Sequence, residues 1–297
     1  MSDEQAHQRP SGRTELMLRP SGRTKVAGVI GDPVQHSLSP ALHNAAFEHL
    51  GLDWVYTAFG VPAGQGADAV AAMRVLGIEG LSVTMPHKDD VAAACDELSL
   101  AAALLGAVNC VRRDGGRLIG ENTDGAGFVN SLQAQAGMSP AGLDALVLGA
   151  GGAGRAVIAA LAAGGASVTV ANRSPAAAER AAAIGTSAAG GGGAVVVGTA
   201  AAAGSADLVV NATSLGMSAG DPLPLEASLL TEGQVVVDLI YQPERTPLLE
   251  AAAAAGATTL NGVGMLLFQA AEQFRMWTGH EAPVDVMASA VGLQLAG

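Results

Sequence analysis

The chain has 297 residues, 49% hydrophobic and 14% charged, enough for two globular units of ordinary size. A net charge of −12 speaks against nucleic acid and anionic membrane surfaces as partners, since both call for clustered positive charge. No apolar run reaches the roughly 20 residues of a spanning helix, the polar N-terminus has no signal core, and Cys95 and Cys110 suggest no disulfide framework, which fits a reducing cytoplasm.

Residues 1–24 carry Arg-Pro-Ser-Gly-Arg-Thr twice, at 9–14 and 19–24, and read as a disordered tail. Residues 25–30 form an apolar strand running into a loop that ends at Ser39-Pro40. That pair has the form of an N-cap followed by proline in the first helical turn, starting a helix to about Leu50. Ser37 and Ser39 therefore stand at the carboxyl end of a strand, where open α/β sheets bind ligands. Two hydroxyls beside a helix start suit a carboxylate; the alternative is that Ser39 only caps. A strand at 54–59, a helix at 66–76 and a strand at 80–84 follow, ending in Met85-Pro-His-Lys88. Of 15 basic residues only Lys25 and Lys88 are lysines. Lysine, unlike arginine, can give up its proton when desolvated. Lys88 is thus a candidate acid–base group, with a solvated first-turn lysine as the alternative. His87 has no second His or Cys at ligand spacing, and no metal site is expected.

Residues 106–111 and 117–120 read as paired strands around the turn Asp114-Gly-Gly116. They lead into Glu121-Asn-Thr-Asp124 and a helix from about 126 to 135. Asp124 either caps that helix or holds the ammonium of Lys88. From 144 to 260 strand and helix alternate, with strands at 144–148, 167–171, 194–197, 207–211, 235–238 and 258–260. That pattern is a doubly wound parallel sheet. Gly149, Gly151 and Gly154 fit G-x-G-x-x-G between its first strand and helix, where glycines allow a tight turn and a close pyrophosphate. NAD sites place Asp or Glu at the end of the second strand; here Asn172-Arg173-Ser174 stands there instead, and an arginine beside a hydroxyl suits the 2′-phosphate of NADP. Residues 185–193 read as a flexible loop, 262–274 as an apolar helix carrying Gln269, and 283–295 as a last helix.

Nine ordered motifs now stand together. They are Ser37-Leu-Ser39, Val83-Thr-Met-Pro-His-Lys88, Gly106-Ala-Val-Asn109, Glu121-Asn-Thr-Asp124, Gly149-Ala-Gly-Gly-Ala153, Asn172-Arg-Ser174, Asn211-Ala-Thr-Ser214, Asp238-Leu-Ile-Tyr241, and Gly262-Val-Gly-Met265 leading to Gln269. From about Lys25 to Leu295 the chain resembles the shikimate dehydrogenase family. The resemblance implies NADPH-dependent, reversible reduction of 3-dehydroshikimate to shikimate, a step of chorismate biosynthesis. It implies two α/β domains: a substrate domain of 25–124 plus 263–297 with a mostly parallel sheet, and a Rossmann NADP domain of 125–262. Gly125 and Gly262 would be hinges at the crossings. Ser37, Ser39 and Tyr241 would bind the substrate carboxylate, while Thr84, Lys88, Asn109, Asp124 and Gln269 would hold the ring hydroxyls and the reacting oxygen. Gly149, Gly151, Gly152 and Ala153 would cradle the pyrophosphate. Asn172, Arg173 and Ser174 would hold the adenosine side, with Thr213 near the adenine and Leu239 and Gly262 near the nicotinamide. The partner is a small molecule, with room for a homodimer. One departure is Ala177, near where the family often has a second basic residue; Arg180 is the nearest substitute. A quinate dehydrogenase and a non-catalytic nucleotide sensor on the same scaffold are the competing readings.

Overall fold

Short apolar runs alternating with helices build two six-stranded sheets in the computed structural model, which describes residues 20–295. The first half contains β1 (Lys25–Gly31), α1 (Ser39–His49), β2 (Trp54–Gly60), α2 (Gly66–Leu76), β3 (Gly80–Val83) and α3 (Lys88–Ala94). It continues through β4 (Glu97–Leu98), α4 (Leu100–Leu105), β5 (Cys110–Asp114), β6 (Arg117–Glu121) and α5 (Asp124–Ala136). Its sheet has the order β2-β1-β3-β5-β6-β4. Only β5 runs antiparallel to its neighbours, because Gly115 and Gly116, at φ +54° and +89°, fold β5 straight back into β6.

The second half contains β7 (Asp144–Leu148), α6 (Gly152–Ala163), β8 (Ser167–Ala171), α7 (Pro175–Ala189), β9 (Val195–Val197), β10 (Leu208–Asn211), β11 (Val235–Asp238), α8 (Pro247–Ala254) and β12 (Thr258–Leu260). Its sheet is parallel throughout, ordered β12-β11-β10-β7-β8-β9. Strand order reverses at β7, the strand that feeds the glycine turn, and such a switch point is where doubly wound sheets open a ligand crevice. Helices α9 (Val263–Thr278) and α10 (Val284–Ala290) return to the first half. There Leu267, Ala270 and Phe274 of α9 and Met287 of α10 join the core of Ala27, Leu42, Phe47 and Tyr56. Each Leu, Phe or Met among them contributes about 1.5–3 kcal/mol when fully buried.

Several expectations are corrected. Ser39 does not cap α1: Leu38 is the N-cap residue, Ser39 is the first helical residue, and the Ser39 N–H donates to Ser37 Oγ at 3.3 Å. Asp124 does not cap α5 either, since Thr123 precedes it as N-cap and the Asp124 carboxylate is drawn to Lys88. The loop expected at 185–193 is helical as far as Ala189, because alanine favours helix and Gly185 lets α7 close on Ile158 and Val195. The strand expected at 106–111 starts only at Cys110; Gly106, left-handed at φ +59°, ends α4 instead. Apart from these corrections, the two glycines expected at the domain crossings are also close-approach positions: a Cβ would lie 3.0 Å from Ala156 O at Gly125 and 2.1 Å from Leu239 O at Gly262. Residues 1–19 of the expected tail lie outside the described residues; at 21–24 the chain makes a turn, and Thr24 Oγ1 donates to Asp53 at 2.6 Å. Among the described residues no helix is long and apolar enough to cross a membrane.

The aromatic core holds one polar ring. His43 is wholly buried, stacked on Tyr56 with centroids 4.4 Å apart, and among the described residues neither ring nitrogen has a partner. Burial pushes its pKa from 6.5 down to about 3. Between those values the unfolded chain takes up a proton that the folded chain refuses, so stability present above pH 6.5 is lost as pH falls towards 3. The loss approaches about 1.4 kcal/mol per pH unit. His43→Leu is expected to flatten the acid limb of a Tm-against-pH curve. An unchanged slope would assign the acid sensitivity to other groups.

Candidate active site

The expected site residues gather at the carboxyl edges of the two sheets. Ser37 and Ser39 follow β1, Thr84 and Lys88 follow β3, and Asp124 follows β6. Asn109 precedes β5, whose reversed direction brings its start to the same edge. The Lys88 ammonium pairs with Asp124 Oδ2, and the two side chains are only 17% and 7% exposed. Asp124 Oδ1 accepts from Asn109 Nδ2 at 2.7 Å, and Asn109 Oδ1 accepts the Thr123 N–H at 2.8 Å. Asn122 turns the chain here, taking the Asp124 N–H at 3.1 Å and donating to Ala107 O at 2.9 Å. Gln269 on α9 completes the cluster, its Oε1 lying 3.3 Å from Asn109 Nδ2. An ion pair this sheltered is not the surface kind worth next to nothing; removing either member leaves a buried charge uncompensated.

Thr84 is half-buried at the end of β3, with no hydrogen-bond partner for its Oγ1 among the described residues and its methyl 2.4 Å from where Gly31 would carry a Cβ. The Ser39 hydroxyl lies by Tyr56, whose phenol is pushed up by burial against the pull of the Ser82 and Ser39 hydroxyls. Tyr241 follows β11, and burial pushes its phenol up as well. Among the described residues no direct hydrogen bond joins Tyr241 to Ser37 or Ser39.

Across the cleft, Gly149 takes φ +107°, and a Cβ there would lie 2.8 Å from Ala212 O. Gly154 packs against Gly149 O, which a Cβ would meet at 2.3 Å. Gly151 faces open space, with nothing within 4 Å of a Cβ. The first-turn N–H groups of α6 then point to that space without intrahelical partners. Asn172 steadies the turn by accepting the Ala150 N–H at 3.3 Å and donating to Ser174 O at 3.1 Å. Ser174 caps α7 through the Ala177 N–H at 3.4 Å. Arg173 and Arg180 are exposed, and neither forms an ion pair among the described residues. Thr213 Oγ1 donates to Asn211 at 2.7 Å. An open glycine cradle with free N–H groups and a cation at the end of β8 fit a dinucleotide bearing a 2′-phosphate. The two sides meet: a Cβ on Gly152 would stand 3.3 Å from Lys88 Cδ, and Arg155 Nη2 pairs with Asp89 at 2.9 Å.

Residues 29–111 match the shikimate dehydrogenase substrate binding domain, and residues 262–291 match the shikimate 5′-dehydrogenase C-terminal domain. A shikimate dehydrogenase (NADP(+)) of Methanopyrus kandleri is 47% identical over 90% of this chain and 95% of its own. The chain belongs to the shikimate dehydrogenase family. Among solved structures of the family, that of Aquifex aeolicus superposes with a TM-score of 0.84 at 37% identity, covering 92% of this chain and 99% of that one. The Thermus thermophilus enzyme, solved in complex with NADP(H) and shikimate, gives a TM-score of 0.82 at 39% identity, covering 90% and 98%.

Four buried residues behind the cluster escaped the sequence reading: Tyr56, Ser82, Thr123 and Gln273. Two of them had a local signal: Thr123 lies inside the Glu121-Asn-Thr-Asp124 motif, and Gln273 stands four residues after Gln269 and so on the same helix face. Behind the nucleotide side, Asp238 accepts from Asn211 Nδ2 at 3.0 Å and Thr246 Oγ1 at 2.7 Å, and burial pushes its carboxyl up. This network ties the ends of β10 and β11 together.

Proposed function

We propose that this chain is an NADP-dependent oxidoreductase that reversibly reduces 3-dehydroshikimate to shikimate. The observation that carries the reading is the sheltered Lys88–Asp124 pair on the rim of the glycine turn at Gly152. Reducing a ketone takes a hydride to carbon and a proton to oxygen; the nicotinamide, when bound, supplies the hydride. Lys88 Nζ gives the proton as negative charge develops on the oxygen, and takes it back in the oxidative direction. Asp124, itself held by Asn109 Nδ2, keeps the ammonium in place, and the two side chains meet the ring hydroxyls. Thr84 and Gln269 flank the ring, and Ser37, Ser39 and Tyr241 take the carboxylate. Gly149, Gly151, Gly152 and Ala153 receive the pyrophosphate, Asn172, Arg173 and Ser174 the adenosine phosphate, Thr213 the adenine, and Leu239 and Gly262 the nicotinamide. Residues 25–124 with 263–297 form the substrate domain, and 125–262 the NADP domain. The free thiols of Cys95 and Cys110 suit a reducing cytoplasm.

The test is oxidation of shikimate and of quinate, each with NADP⁺ and with NAD⁺. Turnover is expected for shikimate with NADP⁺ above the other three combinations. Faster quinate turnover would make the chain a quinate dehydrogenase, and none at all a nucleotide sensor. Arg173→Ala removes a charge-assisted contact worth about 1.5–3 kcal/mol. It is expected to raise KM for NADP⁺ roughly 10- to 100-fold and leave KM for NAD⁺ nearly unchanged. Equal losses for both cofactors would refute the 2′-phosphate assignment.

A further inference from the structure

A continuous hydrogen-bonded chain runs behind the proposed substrate pocket. Tyr56 OH donates to Ser82 Oγ at 2.6 Å, and Ser82 Oγ donates in turn to Gln273 Oε1. Gln273 Nε2 then donates to Gln269 Oε1 at 2.6 Å, with Asn109 O at 3.2 Å and Thr123 Oγ1 at 3.3 Å also in reach. Gln273 is wholly buried, and Gln269 is 7% exposed.

Amide ends are told apart by their partners, and here two backbone carbonyls decide both. Asn109 O can only accept, so the Gln273 atom facing it is Nε2. Leu266 O can only accept, so the Gln269 atom 2.9 Å from it is also Nε2. The Oε1 of Gln269 is then turned inward and occupied twice, by Gln273 and by Asn109 Nδ2 at 3.3 Å. One group of Gln269 is left for a ligand: the second hydrogen of Nε2, which has no partner among the described residues.

We propose that Gln273 is a positioning residue that locks the Gln269 amide with its N–H towards the ligand, making this corner of the pocket a hydrogen-bond donor only. The substrate atom that meets it must be an oxygen with a free lone pair, and a group that can only donate is refused there. The proposal rests on the reading that Gln269 touches substrate.

The test is a double-mutant cycle on kcat/KM for shikimate, with KM for NADP⁺ as the internal control. Gln269→Met and Gln273→Met each keep side-chain length and remove the amide. Each is expected to lower kcat/KM about three- to tenfold, the size of one lost hydrogen bond, without moving KM for NADP⁺. The double variant is expected to match Gln269→Met alone, because Gln273 has nothing left to orient. Losses that multiply would overturn the positioning role while leaving the Gln269 contact intact. An unchanged Gln269→Met enzyme would overturn the contact itself, and the positioning role with it. Should Gln273→Met fail to fold, Ser82→Ala loosens Gln273 by removing its Oε1 partner. A drop in kcat/KM that vanishes in the Gln269→Met background supports the proposal; one that persists overturns it.

Discussion

Lys88→Ala is expected to lower kcat for shikimate oxidation by about 10²- to 10⁴-fold, the range for one general acid–base group, with little change in KM. The geometry leaves this lysine no obvious other task. Its ammonium is held by Asp124 Oδ2, its stem lies against the glycine turn, and it is 17% exposed, so it is neither a solvated surface charge nor a stability pair at the rim. Asp124 is fixed independently through Asn109 at 2.7 Å and through its backbone N–H, so the carboxylate stays in place when the lysine is removed. Lys88→Arg separates charge from chemistry, because arginine keeps the positive charge but does not deprotonate at working pH. It should retain shikimate affinity and lose turnover nearly as fully as alanine. Steady-state kinetics of both variants, with melting curves to show that they are folded, decide the matter. A raised KM at unchanged kcat would make Lys88 a binding residue only.

The nucleotide half was more legible in the sequence than the substrate half, for a physical reason. Parallel strands covered on both faces read as short apolar runs, and β7, β8 and β11 begin and end where those runs do. In the first half, β4 and α4 went unread. They span only Glu97–Leu98 and Leu100–Leu105, too short for either periodicity to register. Ser99 was the available signal, since it caps α4 by accepting the Ala102 N–H. At 185–189, glycine and serine suggested a loop, yet Gly185 is needed for contact and Gly190, left-handed at φ +55°, is where the helix stops.

The same division runs through the site. Apart from Gln269 on α9, the residues proposed to face ligand stand at or just beyond strand ends, and strand ends can be located along the sequence. The layer behind them depends on pairings between distant segments: Tyr56 with Ser82 is 26 residues apart, and Ser82 with Gln273 is 191. Nothing local in Ser82, inside a buried strand, distinguishes it from a tolerated small residue. Orientation of the Gln269 amide is therefore a property of the fold rather than of any motif.

Gly127→Ala is expected to lower kcat/KM for shikimate by about 10²-fold, although the residue touches no ligand in the proposed site. Two effects oppose each other at this position. Gly127 lies inside α5 with ordinary helical geometry, where alanine is favoured over glycine by about 0.8–1 kcal/mol. Against that, its Cβ would stand 2.6 Å from the backbone N of Gln269 and 2.7 Å from Gln269 Cβ. Carbon contacts settle at about 3.5–4.0 Å, so α9 must withdraw by roughly 1 Å. Overpacking of that kind costs about 1–3 kcal/mol, enough to outweigh the gain in propensity. The displacement falls on Gln269 and, through the bond from Thr123 Oγ1 to Gln269 O at 3.2 Å, on the start of α5 that carries Asp124 and with it Lys88. An error of about 1 Å in a positioned catalytic group can cost two orders of magnitude in rate. Gly149 to Ala153 are not in this contact, so KM for NADP⁺ should hold while Tm drops. A higher Tm with unchanged kcat/KM would mean that propensity wins and that α5 and α9 can part without moving Gln269.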